Sequence, residues 1–362
     1  MRLLKSSQLL AYIDQDLVIK PLNPTHFIAA AKHLDNLTKP QGSLGRLEEL
    51  AKRLYAMRQG ATPLSVSPAI MYTVAADHGV AKEKVSAYPQ SVTRQMVENF
   101  LKGGGAINIL TKESNLALCL VDAGCVGGPF LDHPLLLSRR LGEGTRDLST
   151  EKAMSREQVL QGLRIGIQLA REAAFDGCQC IAIGEMGISN TTSATALFSA
   201  YLDYDPALIT GPGTGLTKTQ VSHKIAIIKQ ALSLHAETIA KGDCLDILAC
   251  LGGFEIVVMC GIILGAAAES LPVLVDGFIA TSAYVAAKMI DPLVSEYSIL
   301  THLSAEPNFQ MIVKYLGEKP LLDLNLRLGE GTGAALAYPL LKAACAIFND
   351  MATFKSAGVS RS

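Results

Sequence analysis

The sequence predicts an α/β fold whose sheet is mostly parallel and flanked by helices. Three observations lead there. Five short runs are continuously apolar rather than alternating, as strands buried on both faces are. Each run ends in small, acidic or hydroxyl residues. Segments with helical periodicity lie between them, so the chain reads as repeated strand–helix units. The 362 residues are 49% hydrophobic and 18% charged, enough apolar material for a large core.

The elements follow in order. The first sixty residues are helical in pattern, with Leu44, Leu47, Leu50, Ala51 and Leu54 at helical spacing. The candidate strands are AIMYTVAAD (69–77), LALCLVDAG (116–124), CIAIGE (180–185), LPVLVDG (271–277) and SILTHLS (298–304). Helical patterns occupy 91–110, 155–174, 219–240 and 332–349, and Ser155 with Gln158 forms a capping box for the second. Residues 248–268 form a 21-residue run with Glu255 as its single charge. Its length would span a bilayer. The near-central Glu255, the Gly252–Gly253 pair and the lack of a basic flank favour a helix buried in a core or an interface. In parallel sheets ligands bind beyond the carboxyl ends of the strands, where Asp77, Asp122, Glu185, Asp276 and Ser304 are expected.

Composition removes several function classes. A net charge of -1 leaves no electrostatic footprint for nucleic acid, and the absence of Trp argues against a base-stacking platform. Most of the eight cysteines lie in apolar runs, and Cys178-Gln179-Cys180 has no second pair to complete a zinc site. Free thiols in a reducing compartment, and an N-terminal apolar stretch too interrupted for a signal peptide, give a cytoplasmic expectation.

Five stretches could carry chemistry. GEMGISNTT (184–192) follows a strand and opens a helix expected to start near Ser193; it suits a phosphate at a helix N-terminus, or is an ordinary βα turn. TGPGTGL (210–216), with Lys218 and Lys224 downstream, could hold a phosphate, although a flexible connection explains it better. LPVLVDGFIAT (271–281) offers only Asp276 where a Mg²⁺-diphosphate site would want adjacent acids, so a buried strand with a polar end is preferred. Asp77-His78-Gly79 pairs an acid with an imidazole, for acid–base work or as a structural strand end. RLGEGT occurs twice, at 140–145 and 327–332. In the second copy Glu330, in apolar surroundings, is either a general base or a turn residue.

Together these motifs make a family visible. LDNLTKPQGSLGRLEELA (34–51), ADHGV (76–80), VTRQMVENFLKGGGAIN (92–108), GEMGISNTT (184–192), GGFEIVVMCGIILGAA (252–267), LPVLVDGFIATSA (271–283), LSAEP (303–307) and LRLGEGTGAALA (326–337) resemble, in order, the nicotinate-nucleotide–dimethylbenzimidazole phosphoribosyltransferase family. The resemblance implies transfer of the ribose phosphate of nicotinate mononucleotide to a benzimidazole-type base, with no metal and no cofactor. It implies Glu330 as catalytic base. Glu185, Gly187, Asn190, Lys224, Asp276, Ser304, Gly329 and Gly331 are implied around the nucleotide, and Ser86, Tyr88 and Met96 at the base pocket. Glu143, in the first RLGEGT, is implied to be a turn residue. The implied architecture is a Rossmann-like α/β domain (61–340) with a small helical domain built from 1–60 and 341–362. The implied partners are small-molecule substrates and a second copy in a homodimer, with neither nucleic acid nor membrane.

Overall fold

The computed structural model describes residues 6–213 and 215–360. All five expected strands form: β1 (Ala69–Ala76), β2 (Ala117–Gly124), β4 (Cys180–Met186), β5 (Val273–Val275) and β6 (Ser298–Leu300). A sixth, β3 (Leu136–Ser138), was not expected, because three residues within PLLLSR are too short to give a pattern. The order is β3-β2-β1-β4-β5-β6 and every neighbouring pair is parallel. The strand order reverses between β1 and β4, which opens a crevice beyond their carboxyl ends.

The expected helices form with revised limits. Ser155 and Gln158 cap the helix Arg156–Phe175 reciprocally, at 3.1 and 2.9 Å. The helix expected over 91–110 is two helices, Ser91–Leu101 and Ala106–Ser114, because Gly103-Gly104-Gly105 lies between them and Gly103 takes φ +78°. The pattern over 219–240 likewise divides into Lys218–Leu234 and Ala236–Lys241. The helix after GEMG starts at Asn190 rather than near Ser193.

The apolar run 248–268 breaks at Gly252-Gly253 into Cys244–Leu251 and Phe254–Ala268. Residues Phe254 to Ala267 are all buried, because this helix lies between the sheet and the helix Arg156–Phe175. The two helices approach so closely that a Cβ on Gly166 would lie 2.1 Å from the Val258 carbonyl oxygen, and one on Gly261 would lie 2.2 Å from that of Leu163. Being apolar all round thus reflects a helix with core on every side. Among the described residues, no helix is long and apolar enough to cross a membrane.

The terminal segments meet. The helix Arg46–Met57 packs on Pro24–Leu34 and on Thr332–Asp350. Leu37 bridges to Thr353, the Thr38 amide donates to the Ala352 carbonyl at 2.9 Å, and the Phe354 amide donates to that of Asn36 at 3.0 Å. Residue 341 lies inside the helix Thr332–Asp350, and one apolar core runs from Leu9 to Phe348.

Candidate active site

A cavity of about 270 Å³ opens where β4, β5 and the approach to the helix Thr332–Asp350 converge. Its floor is made by the second RLGEGT. Gly329, Glu330 and Gly331 all take left-handed backbone, with φ of +82°, +64° and +95°. Three such residues in a row need outside support, and β1, β4 and the residue past β5 supply it. The Glu330 amide donates to the Glu185 carbonyl at 3.2 Å, and the Glu330 carbonyl accepts from Thr73 Oγ1 of β1 at 2.8 Å. Asp276, just past β5, accepts from the amides of Gly331 (3.1 Å), Gly333 (2.9 Å) and Ala334 (3.3 Å), as an acid does at a helix N-terminus. Gly184 of β4 leaves room for this loop: a Cβ there would lie 2.2 Å from the Gly331 nitrogen.

Two carboxyls meet at this loop. Glu185 lines the cavity, and its Oε2 accepts a hydrogen bond from Asn190 Nδ2. Burial pushes it up to about 8; the Asn190 bond opposes the shift, while Asp276, Glu255 and Glu330 reinforce it. The Glu330 carboxylate lies beneath the floor and accepts from the Ile107 amide at 3.3 Å. Burial raises it as well, opposed by that amide and assisted by Asp276. A buried carboxyl raised by desolvation suits proton acceptance near neutral pH.

The opposite end is cationic. Lys224 is 1% exposed, and its Nζ donates to Thr191 Oγ1 at 2.6 Å. Burial lowers its pKa to about 8, partly offset by Glu306. Arg327, from the same RLGEGT, donates to the Gly213 carbonyl at 3.2 Å. Glu306 is raised by burial, and Lys224 and Arg327 oppose the rise. Two cations, a hydroxyl and the start of the helix Asn190–Leu202 thus converge on one end of the cavity, an arrangement that attracts an anion.

The cavity brings together Tyr88, Glu185, Gly187, Asn190, Ser304 and Gly329 of the expected residues. Lys224 stands behind Thr191, and Glu330 and Gly331 form the support. Asp276, expected around the nucleotide, has both oxygens bonded to the loop and does not line the cavity. Ser86 and Met96 do not line it either. Ser86 Oγ accepts from the Tyr88 amide at 3.4 Å, and Met96 is packed against the core. Thr191, His302, Glu306, Arg327 and Leu328 line the cavity without having been singled out. All but His302 sit inside motifs quoted for the family resemblance, which was the available signal. In the loop 210–216, Gly213 reaches the cavity and Thr214 lies outside the described residues.

The first RLGEGT lies past β3, near the other edge of the sheet. Arg140 pairs with Asp122 at 2.6 Å, and Glu143 Oε2 accepts from the amides of Gly127 and Gly128 at 2.9 and 3.2 Å. It fastens a turn. At the other strand ends, Asp122 also accepts from the Gly124 and Cys125 amides and Asp77 from the Val126 amide.

The chain matches a family model described as phosphoribosyltransferase over residues 19–359. It is 55% identical to a nicotinate-nucleotide–dimethylbenzimidazole phosphoribosyltransferase of Solidesulfovibrio magneticus, over 94% of this chain and 96% of the relative. The chain belongs to this family. Its members' likeness extends to a relative of the same name in Chlorobaculum parvum, 47% identical with the same coverage. The crystal structure of the corresponding Thermus thermophilus enzyme superposes with a TM-score of 0.87 at 42% identity, covering 94% of this chain and all of that one. The α/β architecture is therefore the family's, and the chain is a phosphoribosyltransferase.

Proposed function

We propose that this protein transfers the phosphoribosyl group of nicotinate mononucleotide to 5,6-dimethylbenzimidazole, releasing nicotinate and α-ribazole 5′-phosphate for the nucleotide loop of cobalamin. The observation that carries the proposal is near-full-length similarity to relatives of that name, 55% identical in the first case. The cavity is chemically suited to the reaction. Lys224, Arg327, Thr191, Ser304 and the helix start beyond Gly187 and Asn190 favour the nucleotide phosphate end, with Glu185 at the ribose. Tyr88 supplies a flat wall and Leu328 an aliphatic one, both half-exposed, for an aromatic base.

In this mechanism a base nitrogen attacks C1′ from the face opposite nicotinate and inverts the anomeric centre. Glu330 takes the N–H proton of the attacking base. The bond to nicotinate breaks with its electron pair, which neutralises the pyridinium, so the leaving group needs no Lewis acid. Gly329 and Gly331 let Glu330 sit between them, and Asp276 holds that loop. Ser86 and Met96 are assigned to the outer base pocket, reached through Tyr88. We further assign the protein to the cytoplasm as a homodimer, with a helical domain from 1–60 and 341–362 beside the catalytic part 61–340.

The test is turnover: purified protein with nicotinate mononucleotide and a panel of bases should release nicotinate without added metal. No release with dimethylbenzimidazole, adenine or a phenol would reject the proposal. Release with adenine or a phenol alone would reassign the acceptor, an outcome that the half-open Tyr88–Leu328 wall accommodates. Nucleotide binding without turnover would make the protein a non-catalytic binder.

A further inference from the structure

Beneath the cavity lies a pair that the proposed reaction does not use. His78 Nε2 and Glu255 Oε1 are 2.6 Å apart, and neither side chain has any exposure. His78 Nδ1 and Glu255 Oε2 have no hydrogen-bond partner among the described residues. The pair comes from two places that the topology brings together: His78 follows β1, and Glu255 is in the first turn of the fully buried helix Phe254–Ala268. A Cβ on Gly253 would lie 2.4 Å from the His78 ring, so the ring is held tightly.

The pair reaches the cavity through Gly187. At that glycine's Cβ position, Glu255 Oε1 would be 3.5 Å away and Asn190 Nδ2 3.4 Å away. Asn190 Nδ2 in turn donates to Glu185. An imidazole, two carboxyls and an amide therefore form one line through the point where the strand order reverses, from the end of β1 to the cavity. Asp77, just past β1, faces His78 and Glu255, and Asp276 and Glu330 face Glu185 from the loops after β5 and before the helix Thr332–Asp350. His302 stands beside Asp276, and Lys224, Arg327 and Glu306 occupy the far end of the cavity. So many carboxyls in one dry place repel one another unless one is neutralised.

We propose that His78 is a positioning residue for the transfer reaction: as a cation bonded to Glu255 it cancels the carboxylate beneath Gly187, which leaves Glu185 able to change charge at the cavity. One proton lies between Nε2 and Oε1, and the pair is neutral as a unit. This rests on the proposed function only for the use made of Glu185; the charge state itself is independent of it.

The experiment is a ¹³C-carboxyl titration of glutamate-labelled protein, with the Glu185 signal assigned by its loss in Glu185→Gln. In His78→Gln, which keeps a hydrogen-bond donor but no positive charge, the Glu185 midpoint should rise by about one pH unit. Glu255→Gln should leave it level or lower it. The double variant His78→Gln/Glu255→Gln should restore it, a rescue that a merely structural role would not give. An unchanged midpoint in His78→Gln, or no rescue in the double variant, overturns the proposal. If the single variant does not fold, ¹⁵N-histidine spectra of the unaltered protein decide. A doubly protonated His78 ring at pH 7.5 supports the pair, and a neutral ring overturns it. The pH dependence of KM for nicotinate mononucleotide should move with the Glu185 midpoint. Movement in the spectra without movement in KM would reject the assigned use of Glu185 and leave the pair intact.

Discussion

Glu330 has left-handed backbone at φ +64°, a conformation that costs a glutamate about 1 kcal/mol or more. The loop keeps it there with amide bonds to Asp276 and Glu185. Glu330→Gln should lower kcat by about 10²- to 10⁴-fold, the usual worth of a positioned base. Near-normal turnover would remove Glu330 from that role. Glu143→Gln, in the identical hexapeptide, should stay within about threefold of the parent, because an amide oxygen still accepts from Gly127 and Gly128 and the side chain is 58% exposed. Comparing the two variants in one assay separates a working glutamate from a fastening one. Glu185 makes a third prediction at this scale. In the folded protein it holds its proton up to about pH 8, against 4.5 ordinarily. Its contribution to stability is thus complete below pH 4.5 and lost as pH rises through about 8. Lys224, lowered from 10.5 to about 8, works in the opposite sense above that point: its contribution is present above 10.5 and lost as pH falls through about 8. The melting temperature of Glu185→Gln relative to the parent should therefore climb between about pH 5 and 8 and then level. A flat difference would show that Glu185 titrates normally.

At the scale of elements, two glycines set how closely the parts approach. Gly184 lets the Gly329–Gly331 loop lie on β4, and a Cβ there would meet the Gly331 nitrogen at 2.2 Å and the Glu330 carbonyl carbon at 2.6 Å. Both contacts are backbone, so the loop itself must shift. Gly184→Ala should lose activity along with about 1–3 kcal/mol of stability, the usual penalty of overpacking. Gly166 lets the helix Arg156–Phe175 lie against the helix Phe254–Ala268, and neither helix lines the cavity. Gly166→Ala should lose similar stability while turnover per folded molecule is kept. Urea titrations paired with kcat measurements distinguish the two, and equal loss of kcat in both would mean that the helix pair also shapes the cavity.

Over the whole molecule, the chain ends close on each other through Leu37–Thr353, Thr38–Ala352 and Phe354–Asn36. Truncation after Asp350 removes all three. It should lower the melting temperature by a few degrees, since about 1 kcal/mol shifts a large domain by roughly 2–4 °C. An unchanged melting curve would mean that the apolar contact between the helices Arg46–Met57 and Thr332–Asp350 is sufficient.

Much of this was legible in the sequence for a physical reason. A strand covered on both faces must be continuously apolar, so AIMYTVAA and CIAIGEM announce themselves, as does a capping box at Ser155. The order of the motifs announced the family, and with it Glu185, Asn190 and Ser304 at the cavity. Other features depend on residues far apart in the chain, and no local pattern carries them. β3 is three residues long and exists because β2 offers it an edge. Asp276 reads locally as the polar end of a buried strand, and nothing in that pattern shows that its oxygens are taken by amides that fold back from residues 331–334. Local spacing predicted the strands and the caps, and the resemblance of the ordered motifs predicted the family. Only tertiary structure decided which of two identical glutamates is buried over β4, and which histidine meets which acid. Those outcomes depend on desolvation and on partners as distant in sequence as His78 and Glu255, 177 residues apart.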